Sequence, residues 1–203
     1  ITTLHIEDMH PLSFAKLVKK SGLNIPVVLL AHDNKELKYL LLNPEINVFD
    51  KVFIWQGDFR IIIAMIKYLE DKMNVEHDSK IVGVQNVIFI EDNIRYYSSF
   101  LPIIYTEMLS QSQRLISEGI NLTHKFLRMR ARPKILLCSN YEEAADYFKK
   151  YKDLCLGIIS DIDFPRKGKQ DPEAGIRFAK AVKKEHPDIP VLLASTNPKN
   201  QSE

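Results

Sequence analysis

Carboxylates directly follow two apolar, strand-like runs in this chain. Residues 87–90 precede the acidic pair Glu91 and Asp92, and residues 157–160 lead into Asp161. Because parallel strands end at one edge of a sheet, where open α/β folds carry their sites, we expect these carboxylates to lie close together. Such a cluster suits a hard cation such as Mg²⁺, which takes oxygen ligands and is often shared with phosphate groups. The pattern therefore points first to phosphoryl transfer.

Composition and charge are those of an ordinary globular protein. The 203 residues are 45% apolar and 27% charged, enough for one large or two small domains. The formal net charge of +2 is too small to indicate binding to nucleic acid or to a membrane. The 7 glycines form no phosphate-binding loop pattern, and no apolar run approaches the roughly 20 residues of a membrane span. The chain starts at Ile1 without a signal-peptide pattern, so we expect a cytoplasmic segment of a longer protein.

Strand-like and helix-like segments alternate along the chain. Strands are predicted at residues 27–30, 51–55, 86–90, 134–138, 154–160 and 190–195. Helices are predicted at residues 12–20, 34–42, 59–73, 94–130, 141–151 and 172–185. The alternation predicts an α/β fold with a doubly wound parallel sheet.

Three local features refine this prediction. Residues 75–84 are polar and lack periodicity, so they are predicted to be a linker that separates domains 1–80 and 81–203. Pro165 is expected to end regular structure after Asp161, and Pro102 to bend or interrupt the long helix. Asp171 is expected to cap the helix that starts at residue 172.

A weak internal repeat relates the two parts of the chain. Residues 24–31 align with residues 188–195, and a lysine-rich helix precedes each copy. The chain therefore holds the back half of one unit and the front two thirds of a second.

Residues 86–196 resemble the receiver domains of two-component response regulators. Those domains carry an acidic pair after the first strand, an Asp after the third with a Pro four residues later, and a Ser or Thr after the fourth. The corresponding residues here are Glu91, Asp92, Asp161, Pro165 and Ser195. The family's lysine after a fifth strand has no counterpart before Glu203.

The resemblance implies a flavodoxin-like fold and a role for each site residue. It implies that Asp161 is the phospho-acceptor, Asp92 a direct Mg²⁺ ligand and Glu91 a second or outer-shell ligand. It adds the backbone carbonyl of Asp163 to the metal sphere, and makes the Ser195 hydroxyl the partner of the phosphoryl group. The implied function is reception of a signal by phosphorylation, with a conformational output, rather than enzymatic turnover.

The first unit departs from the receiver pattern at each chemical position. The alignment places Thr3 at the phospho-acceptor position, Ala31 at the hydroxyl position and Gln56 near the lysine position. Threonine cannot form an acyl phosphate and alanine cannot hydrogen-bond one. We expect this unit to be a degenerate receiver with a structural or partner-binding role.

A narrower resemblance concerns the long helix after the first strand of the second unit, about twice receiver length. Together with residues 164–175, it is similar to receiver-like segments at the N-terminus of phosphoenolpyruvate synthase or pyruvate phosphate dikinase-like proteins. The partners implied are a histidine kinase or phosphotransfer protein and a downstream domain of the same protein. Residues 110–130 could pair with a second copy or pack on their own sheet. The basic run 128–132 is expected to be a solvated helix end rather than a nucleic-acid contact.

Two other functions remain open at this stage. A phosphorylation-independent pseudo-receiver would keep Asp92 and Asp161 and serve only in regulation or assembly of the larger protein. A hydrolase using the same carboxylates is disfavoured, because the sequence offers no general base or lid.

Overall fold

The computed structural model describes residues 1–32, 34–117 and 132–195. Strands and helices alternate along the chain as far as Asp161. The strands are β1 (Thr2–Thr3), β2 (Val28–Ala31), β3 (Lys51–Ile54), β4 (Asn86–Ile90), β5 (Lys134–Cys138), β6 (Cys155–Asp161), β7 (Phe164–Arg166), β8 (Lys169–Asp171) and β9 (Val191–Ala194). The α-helices are α1 (Pro11–Lys20), α2 (Asn34–Leu41), α3 (Arg60–His77), α4 (Ile94–Ser117), α5 (Tyr141–Tyr151) and α6 (Ala174–Glu185). The α/β class is therefore confirmed.

Backbone contacts divide the chain into two compact units. The first comprises Ile1–Leu69 with Ile94–Ile104, and the second comprises Glu70–Asn93 with Tyr105–Glu203. Within the described residues, no helix is both long enough and apolar enough to cross a membrane.

A parallel four-stranded sheet organises the second unit. Its order is β5-β4-β6-β9, and every pairing in it is parallel. In β4, Ile88, Phe89 and Ile90 are almost inaccessible to solvent, as expected for a strand covered on both faces. The arrangement is consistent with the predicted doubly wound sheet.

The core of the second unit lies against this sheet. It is formed mainly by aliphatic residues of the strands and aromatic residues of α5, α6 and β7. Its buried members include Ile88, Ile90, Leu136, Ala144, Phe148, Ile158, Phe164, Phe178 and Val182.

A smaller parallel sheet of order β1-β2-β3 lies in the first unit. Thr3 pairs with Leu30 in this sheet, and Asp161 pairs with Ala194 in the other. The internal repeat aligns Leu30 with Ala194. Thr3 therefore holds the place in the first sheet that Asp161 holds in the second.

The predicted linker at residues 75–84 is wrong, because this segment is helical. Helix α3 continues to His77, and a π-helical turn, Asp78–Val82, follows it before Gly83. Burial of Val75 and Val84 and an ion pair from Asp78 to Lys134 (2.8 Å) hold the polar segment. Tertiary anchors of this kind leave no periodic signal in the sequence.

The interpretation of Pro165 was also wrong. Pro165 does not end regular structure, since it lies within β7 of a two-stranded antiparallel hairpin, opposite Gln170 in β8. Pro102 lies inside α4, which continues through it to Ser117. Helix α6 begins at Ala174, two residues later than predicted. Asp171 lies in β8 and accepts a hydrogen bond from the Glu173 amide (3.1 Å).

A buried charge cluster lies in the second unit around Asp71, which is inaccessible to solvent. Its carboxylate accepts hydrogen bonds from the Tyr105 hydroxyl (3.0 Å), the Ile135 amide (2.9 Å) and the Arg132 guanidinium. Lys134 Nζ lies 3.6 Å from Asp71 Oδ1. The expectation of a solvated basic run is therefore wrong for Arg132, which is buried. Residues 118–131, which include the rest of that run and of the predicted long helix, lie outside the described residues.

Candidate functional site

Three carboxylates meet where β4 and β6 end. Ile90, the last residue of β4, pairs with Ser160, so Glu91 and Asp161 leave adjacent strands at the same edge. One carboxylate oxygen each from Glu91, Asp92 and Asp161 lie within 4.8 Å of one another. The predicted cluster therefore forms, with Glu91 buried and both aspartates half-buried.

Glu91 is the most enclosed member, with only 5% of its surface exposed. Its backbone amide donates to the Cys138 carbonyl (3.0 Å), and its Oε1 accepts from the Asn93 amide (3.0 Å). The pKa of Glu91 is raised to about 7, with burial as the main cause. The Asn93 hydrogen bond opposes this shift, and the Asp161 and Asp92 carboxylates add to it. Burial and the neighbouring negative charges therefore both disfavour ionisation of this carboxyl group.

The residues on either side of Asp161 in the chain donate hydrogen bonds to it. Its Oδ1 accepts from the Ile162 amide (2.7 Å), and its carbonyl accepts from the Ser160 hydroxyl (2.7 Å). The Gly175 amide donates to the Ile162 carbonyl (2.9 Å), which fixes the start of α6 against this strand end. Burial raises the pKa of Asp161, as do the nearby charges of Asp92 and Asp163, while the Ile162 hydrogen bond lowers it.

Asp92 and Asp163 share one polar neighbour, Gln170 of β8. Gln170 Nε2 donates to the Asp163 carbonyl at 3.0 Å and lies 3.5 Å from Asp92 Oδ2, the long limit of a hydrogen bond. Burial raises the pKa of Asp92, and the Gln170 amide opposes that shift. The carbonyl that the resemblance assigns to the metal is therefore already an acceptor.

Ser195 follows β9 directly at the same edge of the sheet. The preceding residue, Ala194, pairs with Asp161, so Ser195 lies one residue beyond the partner of Asp161. Its side chain is exposed. The fold thus brings the backbone of Ser195 beside the carboxylate cluster.

The cluster could hold a metal ion. Its donor atoms are carboxylate oxygens, which hard divalent cations prefer as ligands. Mutual repulsion and burial act against ionisation of all three carboxylates, and a bound cation would relieve both. The donor chemistry therefore fits Mg²⁺ better than a soft metal.

The first unit carries different groups at the matching sheet edge. Thr3 ends β1 and Ala31 ends β2, so neither strand delivers a carboxylate there. Gln56, which follows β3, donates to the Arg95 carbonyl (2.7 Å) and accepts from the Ser99 hydroxyl (3.0 Å). Through these two hydrogen bonds Gln56 contacts the first turns of α4.

Sequence reasoning missed Gln170 because it missed the β7–β8 hairpin. The turn of that hairpin is formed by Lys167 and Gly168, with φ of 53° and 74°. Two consecutive positive φ angles are the geometry of a type I′ turn, which favours glycine at its second position. The available signal was therefore Gly168 between two short polar segments.

Comparison with protein-family models, curated proteins and solved structures gave no match. The function proposed below accordingly rests on the residues and their geometry.

Proposed function

We propose that the second unit is a receiver domain that accepts a phosphoryl group on Asp161 in a Mg²⁺-dependent reaction. The observation that carries this proposal is the convergence of Glu91, Asp92 and Asp161 within 4.8 Å at the carboxyl ends of two adjacent parallel strands. Phosphoryl transfer needs a positioned nucleophile and charge neutralisation more than it needs covalent assistance from the protein.

Strand order supports a flavodoxin-like fold for this unit. The order β5-β4-β6-β9 corresponds to the first four strands of the flavodoxin-like order 2-1-3-4-5. In that order the chain reverses direction across the sheet between β4 and β6. Ligands of open α/β sheets bind at this point, which is where the three carboxylates lie.

In the proposed reaction an oxygen of the Asp161 carboxylate attacks phosphorus in line with the leaving group. A new P–O bond to Asp161 forms as the bond to the leaving group breaks, and the leaving group takes the electron pair. Asp92 and Glu91, with the Asp163 carbonyl, would hold the Mg²⁺, which when bound offsets the negative charge of the phosphoryl oxygens. Ser195 would move inward and donate its hydroxyl to the new phosphoryl group, which provides the conformational output.

Phosphorylation by a small-molecule acyl phosphate, followed by intact mass, tests this proposal. We expect a mass gain of one phosphoryl group that requires Mg²⁺ and is lost in Asp161→Asn. Asp92→Asn, which retains the acceptor but loses a ligand, should be slowed at least tenfold. The absence of modification in folded, Mg²⁺-saturated protein would overturn the proposal.

A phosphorylation-independent module is the second candidate. The observation that favours it is the hydrogen bond from Gln170 to the Asp163 carbonyl, which satisfies a proposed metal ligand without a metal. On this proposal both units would mediate the assembly or regulation of a longer, phosphoenolpyruvate synthase-like protein. It predicts a folded chain that gains no phosphoryl mass.

On the first proposal the partners are a cytoplasmic histidine kinase or phosphotransfer protein and an attached output domain.

A further inference from the structure

Gln170 reaches the carboxylate cluster from a hairpin that is otherwise anchored away from it. In the β7–β8 pairing, Pro165 lies opposite Gln170, whereas Phe164 lies opposite Asp171. Since alternate residues of a strand face opposite sides, Gln170 points away from the side that carries Phe164 and Asp171. Phe164 is fully buried in the core, so the opposite side of the hairpin, with Gln170, is left to face the acidic site.

Contacts to two helices hold the hairpin in place. The Lys167 amide donates to Glu142 of α5 (2.9 Å), and the Arg166 guanidinium lies over the Tyr141 ring (5.0 Å). On the other strand, Asp171 lies 3.5 Å from Arg177 of α6. The backbone beneath Gln170 is therefore fixed, and the side chain itself is the part that is able to move.

The Gln170 amide nitrogen satisfies two groups that a cation would otherwise satisfy. It donates to the Asp163 carbonyl (3.0 Å) and lies 3.5 Å from Asp92 Oδ2. A hydrogen-bond donor and a cation that approach the same oxygen repel each other, because both carry positive charge. Gln170 is exposed, so rotation about its side-chain bonds would return its amide to water.

We propose that Gln170 is a gate on the metal centre, whose amide must leave the Asp163 carbonyl and Asp92 before a divalent cation binds there. This inference rests on the proposed function, because it takes Asp92 and the Asp163 carbonyl as metal ligands. The gate sets the cation affinity of the resting protein below that of the bare oxygen cluster. It also makes cation occupancy visible as a change in the position of one hairpin side chain.

Calorimetric titration of the full chain with Mg²⁺ tests the gate. Since the net contribution of one hydrogen bond corresponds to about a twofold to tenfold change in an equilibrium constant, Gln170→Ala should bind Mg²⁺ about twofold to tenfold more tightly. Gln170→Asn, one methylene shorter, should behave like the alanine variant, because its amide falls short of the carbonyl. Gln113→Ala is the matched control. It makes the same change at an exposed position of another element, α4.

Side-chain amide resonances supply a second readout. The Gln170 NH₂ pair, assigned by its loss in Gln170→Ala, should shift toward the value of a solvent-exposed amide as Mg²⁺ is added. Equal or weaker Mg²⁺ binding by Gln170→Ala would overturn the gate while leaving the metal site standing. Mg²⁺ binding by Gln170→Ala but not by the wild-type chain would support the gate. The absence of Mg²⁺ binding in all variants, wild type included, would overturn both the gate and the proposed function.

Discussion

The backbone of Gly175 lies directly against that of Asp161. A Cβ atom at position 175 would stand 2.2 Å from the Asp161 carbonyl oxygen and 2.9 Å from the Ile162 Cα. Both neighbours are backbone atoms, which cannot rotate out of the way. The start of α6 can therefore approach the end of β6 only because residue 175 has no side chain.

Gly175→Ala should displace Asp161 and destabilise the second unit. The added methyl group forces α6 away from the strand end, and overpacking of this kind costs about 1–3 kcal/mol of unfolding free energy. Chemical denaturation measures the loss, and acyl phosphate labelling should fall in parallel. Gly157→Ala is the comparison, because there the nearest atom is a Pro190 side-chain carbon at 3.2 Å that has some freedom to yield. Equal costs for the two variants would contradict this account.

Glu91 should make the cation-free protein less stable as the pH rises. Its pKa is about 7 in the folded protein against an ordinary value of 4.5, so the folded state holds this proton more tightly than the unfolded state. The stabilising contribution is complete below pH 4.5 and is lost as the pH rises through about 7. We expect Glu91→Gln to raise the unfolding free energy at pH 8 by about 1–3 kcal/mol and to leave it nearly unchanged at pH 4.

Glu91→Gln also tests whether a cation binds at the carboxylate cluster. Added Mg²⁺ should stabilise the wild-type chain at pH 8, because it offsets the repulsion among the three carboxylates, and should stabilise Glu91→Gln much less. Thermal unfolding at pH 8 with and without Mg²⁺ gives both quantities. A wild-type protein that gained no stability from Mg²⁺ would argue against a cation at this cluster.

Asp71 should be among the most sensitive positions of the second unit. Asp71→Asn removes the buried carboxylate that pairs with Arg132, and breaking a buried ion pair costs about 3–5 kcal/mol. Lys134 keeps its ion pair with Asp78, so the cost falls mainly on Arg132. Tyr105→Phe removes one hydrogen bond and should cost about 1 kcal/mol. Denaturant unfolding measures both.

An exposed ion pair provides the control for Asp71. Glu76 and Lys80 lie 2.5 Å apart on the protein surface, where solvent screens their attraction. Glu76→Gln should therefore leave the unfolding free energy close to that of the wild-type chain. A cost close to that of Asp71→Asn would show that burial does not decide these effects.

The β7–β8 turn should be improved by Lys167→Asn. Lys167 has φ of 53°, a left-handed conformation that costs a lysine more than an asparagine, and Asn-Gly is the favoured type I′ pair. We expect slower amide hydrogen exchange across residues 164–171 and a gain of about 0.5 kcal/mol. Lys169→Asn, in β8, should give no gain because asparagine is disfavoured in strands. A gain at both positions would contradict the turn assignment.

Local pattern was sufficient to predict most of the regular elements and the position of the acidic cluster. Strand β4 is apolar except for its first residue, Asn86. Its bounds were predicted without error, as were those of β5 and α5. Glu91, Asp92 and Asp161 were predicted to converge because the ends of neighbouring parallel strands meet at one edge. Each of these inferences needs only the sequence beside the residue and one rule about parallel sheets.

Tertiary structure decided the features that depend on partners distant in sequence. Residues 78–82 are helical because Asp78 pairs with Lys134, and Arg132 is buried because Asp71 receives it. The contact of Gln170 with the carboxylate cluster depends on the β7–β8 hairpin. A two-residue turn closes this hairpin, and contacts to α5 and α6 hold it in place. These energies arise between residues separated by up to 78 positions in the chain, as for Gln170 and Asp92, so neither composition nor periodicity records them.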